Sequence, residues 1–151
     1  MKPRVLITGA AGTVGSALWQ AWEEQDIYTL TLMDINPIDG ANSRVVQADI
    51  RDYAAMPELC RDQDVLVHLA YIRQDSPRRV PGEVSDIGAS INIFEAARES
   101  GIQKIIYAST NHVSGWNERL NSPPRFSTAD QFRPDGWYGA MKGMAEIAGR
   151  Y

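Results

Sequence analysis

The chain is poor in cysteine: Cys60 is the single one in 151 residues, so no disulfide can close within it. That suits a reducing compartment, and the cytoplasm is the expected location. Long apolar runs are missing too. The opening MKPRVLITGAAG carries only a brief apolar stretch before Gly9, too short for a secretory leader, and no later run approaches the length of a membrane span. A basic surplus is absent: fifteen Lys and Arg stand against nineteen Asp and Glu, a net charge of −4 without a clustered cationic stretch. Nucleic acid and membrane are therefore not expected as partners. Internal repeats and low-complexity tracts are lacking as well. What remains, 44% hydrophobic residues over this length, supports one compact core and predicts a single domain over residues 1–151.

Short apolar runs alternate with longer amphipathic ones, the pattern of repeated βαβ units around a parallel sheet buried on both faces. Strands are predicted at RVLIT (4–8), YTLTLMD (28–34), RVVQAD (44–49), DVLVHLA (64–70) and KIIYAS (104–109). Helices are predicted at 13–25, 53–61, 82–100 and 136–151, the second shortened or made irregular by Pro57 and the third closed by Gly101. Residues 110–135, with Pro123, Pro124 and Pro134 and few periodic apolar positions, read as a long loop. The expected fold is Rossmann-like α/β: a doubly wound parallel sheet of about five strands in three α/β/α layers.

Directly after the first strand, ITGAAGTVGSAL places Gly9, Gly12 and Gly15 at the start of the first helix. Gly9 permits the tight turn, Gly12 lets the backbone approach a pyrophosphate, and Gly15 lets helix and strand pack closely. The helix N-terminus supplies N–H donors and the positive end of its dipole to phosphate oxygens. Ala11, Thr13 and Val14 complete the loop and are assigned to the cofactor with it. Asp34, closing the second strand, can accept both ribose hydroxyls and would repel a 2′-phosphate, which favours NAD over NADP. No arginine follows in DINPID to reverse that preference. Asp49 and Ile50, past the third strand, either touch adenine through carboxylate and ring face, or Asp49 caps the next turn; both readings stand. Leu69 and Ala70 end the fourth strand, where ligands of open α/β sheets gather, whereas His68 beside them reads as a packed sheet residue.

Tyr138 and Lys142 are four residues apart in WYGAMKGMAE and so share a helix face. Free tyrosine, with a pKa of about 10, is a poor base at neutral pH; a neighbouring ammonium stabilises the phenolate and makes it a better one. Lys142 can supply that charge and also reach a nicotinamide ribose. A hydroxyl at the end of the fifth strand would hold the substrate oxygen beside the phenol: Thr110 is the first choice, with Ser109 behind it, and a Ser/Thr turn satisfying its own backbone is credible for one of the two. No metal is expected.

Together TGAAGTVG (8–15), Asp34, Asp49 with Ile50, INIFEAARESGIQKIIYAST (91–110) and YGAMK (138–142) make the chain resemble the extended short-chain dehydrogenase/reductases, the NAD-dependent epimerase/dehydratase group. STNHVSG and RPDGWYGAMKGMAE look most like the uronate dehydrogenases. The resemblance implies oxidation of a sugar or sugar acid, such as a uronate, at C1 to the aldarolactone with NAD. Tyr138 would be the base, Lys142 its activator, and Ser109, Thr110, Asn111 and His112 would contact substrate. The Thr-Asn-His run speaks against a nucleotide-sugar dehydratase, which would carry an acidic pair there. Arg73 stands where the group has a small polar substrate contact; it would pair with a carboxylate or mark a different substrate. Asp86 stands where the group usually has Asn, which would put a carboxylate near the cofactor or simply a solvated helix charge, and the surface reading is preferred. Members of the group continue through further strands into a small C-terminal substrate domain, so the resemblance implies that this part is absent. The alternatives are a nucleotide-sugar epimerase, which would keep its NAD and release no NADH, and a cofactor-binding module without turnover. In the group the long helix before the fifth strand and the helix bearing the Tyr and Lys often form a dimer interface, so a homodimer is one arrangement the resemblance implies. Trp19 and Trp22 read as packing.

Overall fold

The computed structural model describes residues 1–72, 79–120 and 127–151. The expected position of Arg73 lies outside them. Backbone contacts divide the chain into two compact units, Met1–Tyr71 with Ala89–Ala108, and Ile72–Gly88 with Ser109–Tyr151.

The first unit holds a five-stranded parallel sheet. Its strands are β1 (Arg4–Thr8), β2 (Thr29–Asp34), β3 (Arg44–Gln47), β4 (Val65–His68) and β5 (Lys104–Tyr107), in the order β3-β2-β1-β4-β5. Parallel neighbours need crossovers, and here these are α1 (Thr13–Gln25), α2 (Met56–Cys60) and the long α3 (Arg79–Glu99), whose C-terminal half belongs to this unit. The order doubles back between β1 and β4, so the crevice outside their carboxyl ends is where the fold can receive a ligand.

Alternation along the strands decides which helix covers which face. Val5 and Ile7 of β1, Leu30 and Leu32 of β2 and Val67 of β4 meet Trp19 of α1 in one buried cluster. The intervening Leu6, Thr8, Leu66 and His68 are equally buried on the other face, where His68 meets Phe94 and bonds Ser90 of α3. Register keeps these sets in line: Leu6 faces Leu66, and Thr8 faces His68. A salt bridge sets the entry to the two central strands. Asp64 accepts from the Arg4 backbone N–H at 2.7 Å and pairs with its guanidinium at 2.9 Å, which holds the carboxyl down at about 2.

The buried histidine of this core is held through both ring nitrogens. The His68 ring lies 2.6 Å from Thr8 Oγ1 through Nδ1 and 3.1 Å from Ser90 Oγ through Nε2, flanked by Phe94 and Tyr107. The packed-residue reading of His68 therefore agrees with its setting. Cys60, on α2, is fully buried, and burial pushes its thiol up to about 11.

In the second unit, a 3₁₀ turn (Asn111–Ser114) runs into α4 (Gly115–Leu120), and α5 (Trp137–Ala148) packs on that turn. The long loop expected over 110–135 thus contains two short helical elements. The prolines that suggested a loop all come later, at 123, 124 and 134, while Thr110 caps the 3₁₀ turn by accepting from the His112 N–H. The third helix starts at Arg79 rather than Gly82; a proline in a first turn costs nothing, because N–H groups there have no carbonyl to bond. Among the described residues no helix is long and apolar enough to cross a membrane.

Candidate functional site

The glycine loop is built by close contacts within the first unit. Gly9 has φ +75°, a left-handed conformation that disfavours any side chain, and a Cβ there would lie 2.5 Å from the Ala70 nitrogen. Gly15 packs against the turn so tightly that its Cβ would fall on the Gly9 carbonyl oxygen and 2.7 Å from Ala10 Cα. Gly12 differs: a Cβ would touch only the Gly9 carbonyl, at 3.2 Å. Packing constrains position 12 less than positions 9 and 15, whereas a phosphate group lying over the loop would demand glycine there. The residues present thus fit a dinucleotide.

Around this turn the structure collects most of the residues assigned to the cofactor. Gly12 is the N-cap of α1 and no side chain caps the helix, so the first-turn amides of Thr13, Val14 and Gly15 have no carbonyl within the helix to bond. They point their dipole toward the loop. The Ala11 N–H donates to Asp34 Oδ2 at 3.0 Å, while Asp34 Oδ1 accepts from the backbone N–H of Asn36 at 2.9 Å. Oδ1 also accepts from the Asn36 side-chain amide at 3.2 Å, so Oδ2 is the oxygen that retains a second lone pair for a hydroxyl. Leu69 continues the ladder through its N–H to the Thr8 carbonyl, which sets Ala70 against Gly9. Trp19 has a part the sequence did not disclose: its indole N–H donates to the Ala10 carbonyl at 3.1 Å, bracing the loop from beneath.

Past β3, the Asp49 carboxylate accepts the Arg51 backbone N–H at 2.8 Å and pairs with the Arg51 guanidinium, which draws its pKa down. These bonds cap the turn that follows β3. Ile50 is buried.

The second unit gathers the remaining candidates among the described residues. Tyr138 stands in the first turn of α5, and its ring meets the edge of His112 at 5.8 Å. Gly139 makes that approach feasible, since a Cβ there would strike the His112 carbonyl. His112 in turn lies 2.9 Å from Asp135 through Nδ1, an orientation that leaves Nε2 as the group facing outward. Thr110 accepts from the His112 N–H at 3.3 Å, and its own hydroxyl donates to Asn111 Oδ1 at 3.4 Å. Ser109 behaves otherwise: its hydroxyl donates to the Glu146 carboxylate on α5. Asn111 is exposed beside Thr110.

Lys142 is 4% exposed, and Asp86 Oδ2 lies 3.8 Å from its Nζ. Burial lowers the lysine pKa, and the Asp86 charge works against that shift. Asp86 is therefore not the solvated helix charge expected. It is 3% exposed, and its Oδ1 accepts the Ile72 N–H at 2.8 Å. Ile72 and Lys142 are remote from it in sequence, and no local pattern reveals these contacts. Asp135 and Glu146 stand within RPDGWYGAMKGMAE, and nothing local marks either as a partner of His112 or Ser109.

Residues 5–151 match the NAD dependent epimerase/dehydratase family. The L-arabinose 1-dehydrogenase (NAD(P)(+)) of Haloferax volcanii is 32% identical over 98% of this chain and 60% of its own length. Uronate dehydrogenase of Pseudomonas putida is 32% identical over 95% of this chain and 53% of its length. Among solved structures, a mutant of Agrobacterium tumefaciens uronate dehydrogenase complexed with NAD superposes with a TM-score of 0.81 and 31% identity, over 99% of this chain and 56% of that one. The chain thus spans little more than half the length of these relatives.

Proposed function

Because the chain belongs to the NAD dependent epimerase/dehydratase family, we propose that it oxidises the C1 hydroxyl of a sugar acid, a uronate, to the lactone. The observation that carries this reading is the α5 register: Tyr138 in edge contact with His112 and Lys142 buried one turn on. Bound NAD, held by Gly9, Ala11, Gly12, Thr13, Val14, Gly15 and Asp34, would supply the hydride acceptor. Tyr138 takes the proton of the C1 hydroxyl as the phenolate. The Lys142 ammonium stabilises that phenolate. Thr110 exchanges its long bond to Asn111 Oδ1 for one to the substrate oxygen and keeps that oxygen aligned with the phenol, and His112, fixed by Asp135, presents Nε2 to a ring hydroxyl.

A second reading, oxidation of a neutral aldose at the same carbon, is favoured by the arabinose dehydrogenase among the relatives. Formation of NADH by the purified chain with glucuronate, galacturonate, L-arabinose and D-glucose separates the two. Turnover confined to the uronates supports the first reading, turnover of the neutral sugars the second, and none with any of them refers the chain to the epimerase or cofactor-module alternatives.

Asp34→Ala tests the choice of cofactor. Loss of the Ala11 brace affects NAD and NADP alike, but loss of the ribose acceptor affects only NAD. The expected result is a 10- to 100-fold weaker NAD affinity, about what a charge-assisted hydrogen bond is worth, with NADP much less changed. Equal losses measured by titration would remove the ribose role.

A further inference from the structure

Within the second unit one buried charge pair is not explained by packing. Asp86 on α3 and Lys142 on α5 are 3% and 4% exposed, and 3.8 Å separates Oδ2 from Nζ. That is ion-pair distance without a direct hydrogen bond between the two. The carboxylate is not free to turn away, because Oδ1 is held by the Ile72 N–H at 2.8 Å. Removing an ammonium from water costs several kcal/mol unless an opposite charge compensates, and a lysine left alone in such a place sheds its proton.

We propose that Asp86 is a positioning residue that keeps Lys142 in the charged form and fixed in place, and so acts through Lys142 on the Tyr138 phenol. Only the link to turnover rests on the reading of Tyr138 and Lys142 given above; the pairing itself does not. Other titratable groups in this unit have different attachments. On α5, Glu146 accepts from Ser109 and lies 3.8 Å from Arg150. From the 3₁₀ turn and the segment before α5, His112 and Asp135 pair with one another beside Tyr138. Among the described residues, Asp86 is thus the carboxylate engaged with Lys142. A neutral amine there could orient the cofactor's ribose but could not stabilise a phenolate, and the pH range of activity would contract from the alkaline side.

The chain has three lysines, Lys2, Lys104 and Lys142, so the side-chain nitrogens can be followed one by one by NMR, Lys142 being identified by the signal lost in Lys142→Arg. Asp86→Asn keeps the acceptor for Ile72 and removes only the charge. The expected result is a fall of about one pH unit or more in the midpoint of the Lys142 titration, a tenfold loss of proton affinity, largely restored in Asp86→Glu. A midpoint that stays in place overturns the proposal. Should Asp86→Asn not fold, Lys142→Met tests the same coupling from the other side: with the ammonium gone, the Asp86 carboxyl should titrate about one unit higher, and an unchanged carboxyl overturns the proposal equally. In turnover assays, the alkaline limb of the kcat profile should move down with the NMR midpoint in Asp86→Asn while KM changes less than about twofold. A moved midpoint with no turnover in either protein upholds the pair and refutes the catalytic reading; turnover with an unmoved midpoint does the reverse.

Discussion

Tyr138→Phe lowers NADH formation by about 10²- to 10⁴-fold, the usual worth of a positioned proton acceptor, and leaves NAD affinity within a few-fold. The substitution removes one oxygen and keeps the ring, so the edge contact with His112 at 5.8 Å and the packing of α5 survive. A change in kcat without a comparable change in binding follows if the phenol acts only while the hydride leaves. Steady-state absorbance at saturating sugar measures the first quantity and fluorescence titration the second. Turnover at the wild-type rate would refute the assignment of Tyr138 as base, whatever the substrate.

Gly9→Ala should cost about 2–5 kcal/mol of stability, summing a left-handed residue and an overpacked contact. The atoms a methyl would meet are the Ala70 nitrogen at 2.5 Å and the Leu69 carbonyl carbon at 2.7 Å, all backbone, so no rotamer change relieves the collision. The loop or the end of β4 must shift instead. Gly12→Ala provides the contrast: its methyl meets one carbonyl at 3.2 Å and should cost far less stability than Gly9→Ala, while NAD binding should fall sharply as the methyl occupies the approach of the pyrophosphate. Urea unfolding and cofactor titration of the two variants separate a glycine required by the fold from one required by a ligand. If Gly12→Ala binds NAD like the wild type, the phosphate role of the loop falls.

The sheet was legible because buried parallel strands are written as local apolar runs. β1 and α1 coincide with the expected spans, and β3, β4 and β5 end earlier than expected because residues such as Ala48 and Leu69 extend the pairing only by single bonds to Asp34 and Thr8. The glycine spacing and the Tyr138–Lys142 register were legible for the same reason, since each depends on neighbours within a few residues. Contacts made across the chain were not. Ser109 and Thr110 are chemically alike in sequence, and only the presence of Glu146 on α5 gives one a carboxylate partner while the other caps the turn to His112. Asp86 has no distinguishing neighbour in sequence, and its burial follows from where α5 places Lys142. The helical turns at Asn111–Ser114 and Gly115–Leu120 escaped notice because so few residues carry no apolar period.

Cys60 carries a practical corollary. A lone thiol that is fully buried and held at about 11 is doubly shielded from alkylation: a reagent cannot reach it and the thiolate is scarce. Labelling at neutral pH must therefore wait for α2 to open, and its rate becomes a clock for local opening in the first unit, readable by mass without denaturant or cofactor. The chain carries its own single-site probe, with no second cysteine to confuse the reading.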